Sequence, residues 1–125
     1  MIGAIIGDTV GSVYEFDNTK DYHFPLFTEE SIYTDDSVMS FAVASWLLRD
    51  SEHSEQGLVD EVVRFGNMYP NPLGGYGGIF YKWLFYPENL RYCADGVRRP
   101  YGSWGNGSAM RANACRECRP RVRCQ

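Results

Sequence analysis

Apolar side chains in this chain recur three and four residues apart, and nowhere do they alternate with polar ones for more than a few residues. That period is helical, and its dominance restricts the fold to the all-α class. Residues 2–15 read as a first helix, with Ile2, Ile5, Ile6, Val10 and Val13 at helical spacing. Residues 16–33 read as a loop, punctuated by Asp17-Asn18-Thr19 and Phe24-Pro25. Thr34 stands as an N-cap before a pattern over 35–49, in which Val38, Phe41, Ala42, Ser45 and Leu48 fall on one face. Ser54 caps a third helix, 55–68, with Leu58, Val59, Val62, Val63 and Phe65 as its apolar side, and Tyr69-Pro70-Asn71-Pro72 stops it. The run Gly74-Gly75-Tyr76-Gly77-Gly78 is too rich in glycine for regular structure. A short aromatic helix, Ile79 to Tyr86, follows and ends at Pro87. Residues 88–104 read mostly as loop, and Gly105-Asn106-Gly107 leads into a last helical start at Ser108.

The 125 residues suit one domain with one modest core, since a chain this short buries about two-thirds of its unfolded surface. Aromatic residues make up 15%, which argues against overall disorder. A net charge of −4 argues against a nucleic-acid binder. No apolar run is long enough for a membrane span. The opening Met1-Ile2-Gly3-Ala4-Ile5-Ile6 lacks a basic region and is interrupted by Asp8, so a signal peptide is not expected and a cytoplasmic location is. The charge is uneven. Residues 1–114 carry eight basic and fifteen acidic side chains, whereas residues 115–125 carry four and one. Cys115, Cys118 and Cys124 share that last stretch, where Cys-x-x-Cys is a zinc half-site without enough nearby partners to close it. The expectation is a basic, Cys-rich tail over 112–125 that does not belong to the fold.

Three places carry residues suited to chemistry. Thr34-Asp35-Asp36 serves a helix start equally well as a cap with acids favouring the helix dipole, or as part of an oxygen shell for Mg²⁺ or Mn²⁺. Asp8 and Glu15, seven apart with Ser12 between them, share a helix face beside the strip formed by Gly3, Gly7 and Gly11. Each glycine costs a helix about 1 kcal/mol against alanine, so a close neighbour or a ligand is expected along that strip. If this face met the Thr34 turn, four carboxylates would crowd together and call for a cation. The third place is Ser103-Trp104-Gly105-Asn106-Gly107-Ser108-Ala109-Met110-Arg111, a Gly-x-Gly turn whose N–H groups suit an anion, with Tyr101 or Trp104 available to stack on a base or ribose. An ordinary loop-to-helix junction reads the same way. His23 and His53 sit in polar loops without ligand-spaced partners, and Cys93 has no adjacent base.

Together, Gly3-Ala4-Ile5-Ile6-Gly7-Asp8-Thr9-Val10-Gly11-Ser12-Val13-Tyr14-Glu15, Thr34-Asp35-Asp36-Ser37-Val38-Met39 and Gly102 through Arg111 resemble, in order and spacing, the ADP-ribosylglycohydrolase family of bacterial type. The resemblance covers residues 1–111. It implies an all-α orthogonal helical bundle with a two-Mg²⁺ centre. The implied activity is hydrolysis of the bond joining ADP-ribose to a protein side chain, commonly arginine or serine, or to a small acceptor. By the same resemblance Thr34, Asp35 and Asp36 match metal ligands, and Glu15 matches the acidic residue near metal and substrate. Glu15 is the first choice for acid–base work and Asp36 the second. Ser103, Gly105, Asn106, Gly107 and Ser108 match the loop that holds the diphosphate and distal ribose. The family completes its metal shell with an Asp-x-Asp-Thr segment near the end of a longer chain, and this sequence has none. An N-terminal portion, incomplete in its bundle and weak in Mg²⁺ binding and turnover, is therefore expected. A binder of ADP-ribose or nucleotide without cleavage, and a structural helical protein, are the competing readings.

Overall fold

The structure is a computed structural model and describes residues 1–88, 93–94 and 96–117. Its elements in chain order are α1 (Ile2–Gly11), a 3-10 turn (Ser12–Tyr14), α2 (Asp35–Arg49), α3 (Glu55–Met68), α4 (Gly78–Phe85), strands β1 (Cys93–Ala94) and β2 (Val97–Arg98), and α5 (Gly107–Glu117). The two strands form a small antiparallel hairpin pairing Cys93 with Arg98 and Ala94 with Val97. Among the described residues every other regular element is a helix, in keeping with an all-α fold.

α2 is the central element. Thr34 caps it with a side-chain oxygen that accepts from the Asp36 N–H, while Asp35 and Asp36 occupy the first turn and Arg49 the last. Its buried stripe is Val38, Met39, Ala42 and Val43, with Ser37, Ser40 and Ala44 beside them. Phe41 and Leu48, expected on the packed face, are exposed instead. A helical repeat fixes which residues share a face, but neighbours decide how wide the covered stripe is, and here it lies one position toward Met39 and Val43. α3 begins where its cap places it, with the Ser54 hydroxyl accepting from the Gly57 N–H. It packs on α2 through Leu58, Val59, Val62 and Val63. Arg64 fastens the pair, donating to Ser45 Oγ at 3.2 Å and to Glu61 Oε2 at 2.6 Å.

α4 closes the main core with Phe80, Trp83 and Leu84 against Val38, Met39, Ala42 and Val62. Arg98 serves its C-terminus, donating to the carbonyls of Trp83 and Leu84 at 3.1 and 3.0 Å. α5 lies along α2, with Ala114 buried against Val43 and Ala44 and the Ser40 hydroxyl on Met110 Sδ at 3.5 Å. Cys118 and Cys124 of the expected tail lie outside the described residues, and Cys115 is exposed.

α1 is shorter than the 2–15 expected. At Ser12 the hydroxyl donates to the Thr9 carbonyl at 2.9 Å and the chain tightens into the 3-10 turn. The same hydroxyl accepts from the Ile32 N–H at 3.2 Å. The glycine strip meets no neighbour: a Cβ on Gly3, Gly7 or Gly11 would find nothing within 4 Å among the described residues. No described residue makes the close approach expected there.

Candidate active site

The turn after α1, the start of α2 and the start of α5 border one cleft of about 1020 Å³. Glu15, Thr34, Asp35 and Asp36 line it, and so do Ser103, Gly105, Asn106 and Gly107. These residues come from segments far apart in sequence, so the cleft is a product of the fold. Ser108 departs from the set. It lines a second, mainly apolar cleft of about 630 Å³ bounded by Trp46, Trp83 and Pro100. Trp104 is fully exposed and borders neither cleft, while Tyr101 borders both.

Asp8 makes the junction between α1 and α2. Its Oδ2 accepts from the Thr34 N–H at 2.8 Å, from the Ser37 hydroxyl at 2.6 Å and from the Ser37 N–H at 3.3 Å. Its Oδ1 accepts from the Thr34 hydroxyl at 2.5 Å. Thr34 and Ser37 are both buried, so these are bonds to groups that have little water to turn to. Sequence reading placed Asp8 with the acids that might share a cation. It did not find Ser37, whose role depends on a contact 29 residues away in the chain.

Glu15 is held near the glycine run. Thr34 and Leu73 form an isolated parallel bridge that brings residues 73–75 against the start of α2. Gly74 and Gly75 then turn with φ of +77° and +71°, in the region that favours glycine. A Cβ at Gly74 would lie 3.1 Å from Glu15 Oε2. The run flagged in the sequence only as irregular is thus the floor beneath a candidate acid.

The electrostatics follow from the crowding. Burial, then the charge of Asp36 and smaller effects of Glu15 and Asp8, push the Asp35 carboxyl up to about 6, although its own backbone N–H opposes the shift. Burial and the charge of Asp8 also raise Asp36, and Arg111 opposes that. Tyr76, whose hydroxyl donates to the Tyr69 carbonyl at 2.7 Å, is pushed up to about 12 by burial and by the charge of Asp35. Burial draws the Arg111 guanidinium down from its usual value, and it packs 4.7 Å from the centre of the Phe80 ring. Arg111 entered the sequence reading only as the end of a motif, and its place between the clefts had no local signal.

The donors at the acidic end are all oxygens, which suits a hard divalent cation in kind. A cation would also relieve the repulsion that raises Asp35. Thr34, Asp35 and Asp36 are the residues that would hold it. Their number is short of a full shell: among the described residues no group of three or more His, Cys, Asp or Glu side chains is arranged to hold a metal ion. His23 and His53 are exposed, as expected from their loops. Among the described residues no helix is long and apolar enough to cross a membrane.

Comparison with known proteins gives this arrangement a context. Human ADP-ribosylhydrolase ARH3 is 34% identical over 134 residues, which cover 89% of this chain and 36% of the human protein. The Bos taurus ARH3 is 33% identical, with 89% and 36% covered, and the Xenopus tropicalis ARH3 is 29% identical, with 98% and 39% covered. The chain therefore spans little more than a third of the length of these curated relatives. No solved structure gives a significant match. The ADP-ribosylglycohydrolase family model matches residues 1–116, a span that takes in the acids of the first turn, the Thr34 helix start and the glycine turn of α5, and the chain belongs to that family.

Proposed function

We propose that this chain contributes the first part of an active site that hydrolyses the glycosidic bond between ADP-ribose and a protein side chain or small acceptor, with Mg²⁺ as cofactor and Mn²⁺ as a substitute. The observation that supports this most is the cleft itself, which the acids and the Gly105–Gly107 turn both line. Thr34, Asp35 and Asp36 would hold a divalent cation, whose charge would orient ribose hydroxyls and lower the pKa of a bound water. The protein groups do the rest. The helix start at Gly107 turns N–H groups toward a diphosphate, and Asn106 adds side-chain donors. As the bond at the anomeric carbon breaks, the leaving atom takes a proton and water supplies the new hydroxyl. Glu15 is the first choice to pass that proton and Asp36 the second.

The purified chain tests this. Titration with ADP-ribose in the presence of Mg²⁺ should give binding that EDTA weakens, with slow or no release of ADP-ribose from an ADP-ribosylated peptide. Robust Mg²⁺-dependent release would overturn the expectation of weak turnover. Absence of any ADP-ribose binding would overturn the functional reading for this chain. Ligand at 100 times its dissociation constant should add about 2.7 kcal/mol to stability, visible as a rise in Tm. Asp35→Ala should abolish any turnover while most ligand binding persists. ADP-ribose binding that neither EDTA nor Asp35→Ala changes favours a non-catalytic ADP-ribose binder.

A further inference from the structure

We propose that Asp8 is a positioning residue: it holds the hydroxyl proton of Thr34, and so turns the Thr34 oxygen toward a divalent cation, without being a ligand itself. The inference rests on the Mg²⁺-dependent reading above and assigns one residue a role within it.

The argument is an inventory of donors and lone pairs. Asp8 Oδ2 already accepts three hydrogen bonds, from the Thr34 N–H, the Ser37 hydroxyl and the Ser37 N–H. It has no lone pair left for a cation. Oδ1 takes the Thr34 hydroxyl proton at 2.5 Å, in the range of a charge-assisted O–H to carboxylate bond, and keeps one lone pair, whose use by a cation would appear as a large Asp8 shift in the carboxyl-carbon NMR. A threonine hydroxyl has one proton and two lone pairs. With the proton on Asp8, one lone pair takes the Asp36 N–H at 3.2 Å and the other remains. A hydroxyl free to rotate would present its proton to an approaching cation part of the time, and be repelled. Thr34 is buried, so water does not fix the rotor, and Asp8 does. Carboxylates that orient a ligand in this way are a general feature of metal sites, and losing one typically costs 10–100-fold in affinity. α1 buries no residue of its own, so the precision of this contact comes from the four hydrogen bonds.

The test uses the full 125-residue chain and Mn²⁺, read by electron paramagnetic resonance. Asp8→Asn should weaken Mn²⁺ binding roughly 10–100-fold. Thr34→Val should weaken it as well, and Thr34→Ser, which keeps the hydroxyl, should restore it. The pair Asp8→Asn with Thr34→Val should bind within about twofold of Thr34→Val alone, because Asp8 acts through that hydroxyl. Independent, multiplying losses would overturn the inference. A second measurement needs no variant and so survives a failure of Asp8→Asn to fold. In carboxyl-carbon NMR of the unaltered chain, Mg²⁺ should move the Asp35 and Asp36 signals and leave Asp8 nearly still. A shift at Asp8 as large as theirs overturns the inference and leaves the metal reading standing. No shift at any of the three, with no Mn²⁺ bound, overturns both.

Discussion

α1 and α2 meet at the candidate site and are held there by opposite means. α2 buries seven residues, from Ser37 to Ala44, and packs against both α3 and α5. α1 buries none, and Ile2 and Ile6 along it are 75% and 48% exposed. What fixes α1 is mainly polar, the Asp8 carboxylate on Thr34 and Ser37 and the Ser12 hydroxyl on Ile32, beside one apolar contact of Met1 with the Val43–Ala44–Ala114 cluster. Apolar burial sets how much stability an element has, whereas a few directional bonds set where it sits to within a fraction of an ångström. The acids brought together in the cleft depend on the second kind of attachment.

Substitutions along the two helices should separate accordingly. Met39→Ala removes a wholly buried side chain from the centre of α2 and should lower stability by about 2–5 kcal/mol in urea unfolding. A loss under about 1 kcal/mol would mean that α2 is not the centre of the core. Asp35→Asn should act in the other direction. Asp35 is pushed up to about 6 in the folded chain against 3.8 when exposed in the unfolded chain, so the folded state holds the extra proton. By linkage, its contribution to stability falls as pH rises from 3.8 to about 6 and stays low above that. After allowance for screening at its half-buried position, Asp35→Asn should raise Tm by about 4 °C at pH 7 in metal-free buffer, the effect of about 1 kcal/mol in a domain of this size. Near pH 4 the gain should vanish, and an undiminished gain there would show that charge is not its source. Ile2→Ser on α1 should change stability by less than about 0.5 kcal/mol in the same assay. A larger loss would show that Ile2 has an apolar partner too and would end the contrast.

Local chemistry made much of the framework readable in advance. Thr34 and Ser54 cap helices because their hydroxyls reach N–H groups two and three residues on, and such signals sit within a few positions of each other. The bounds of α3 follow from Ser54 at one end and Tyr69-Pro70 at the other. The motif resemblance groups Glu15, Thr34, Asp35 and Asp36 by role, and in the fold the four line one cleft. What stayed hidden depends on distance along the chain or on the direction of a neighbour. Asp8 meets Ser37 across 29 positions, and no period or spacing encodes that meeting. Ser108 shares a motif with Gly107 yet lies on the second cleft, because successive helical residues point about 100° apart. Phe41 and Leu48 lie exposed because the elements packed against α2 cover only part of its surface.

Gly74 carries a constraint that mutational tolerance should reveal. Its backbone sits at φ +77°, where side chains are strained, and the space a Cβ needs is 3.1 Å from Glu15 Oε2. The two restrictions are independent, so no replacement satisfies both. A saturation library at this codon should therefore return the parent residue almost alone when selected for function, and each survivor of a selection for folding only should report how far Glu15 can retreat.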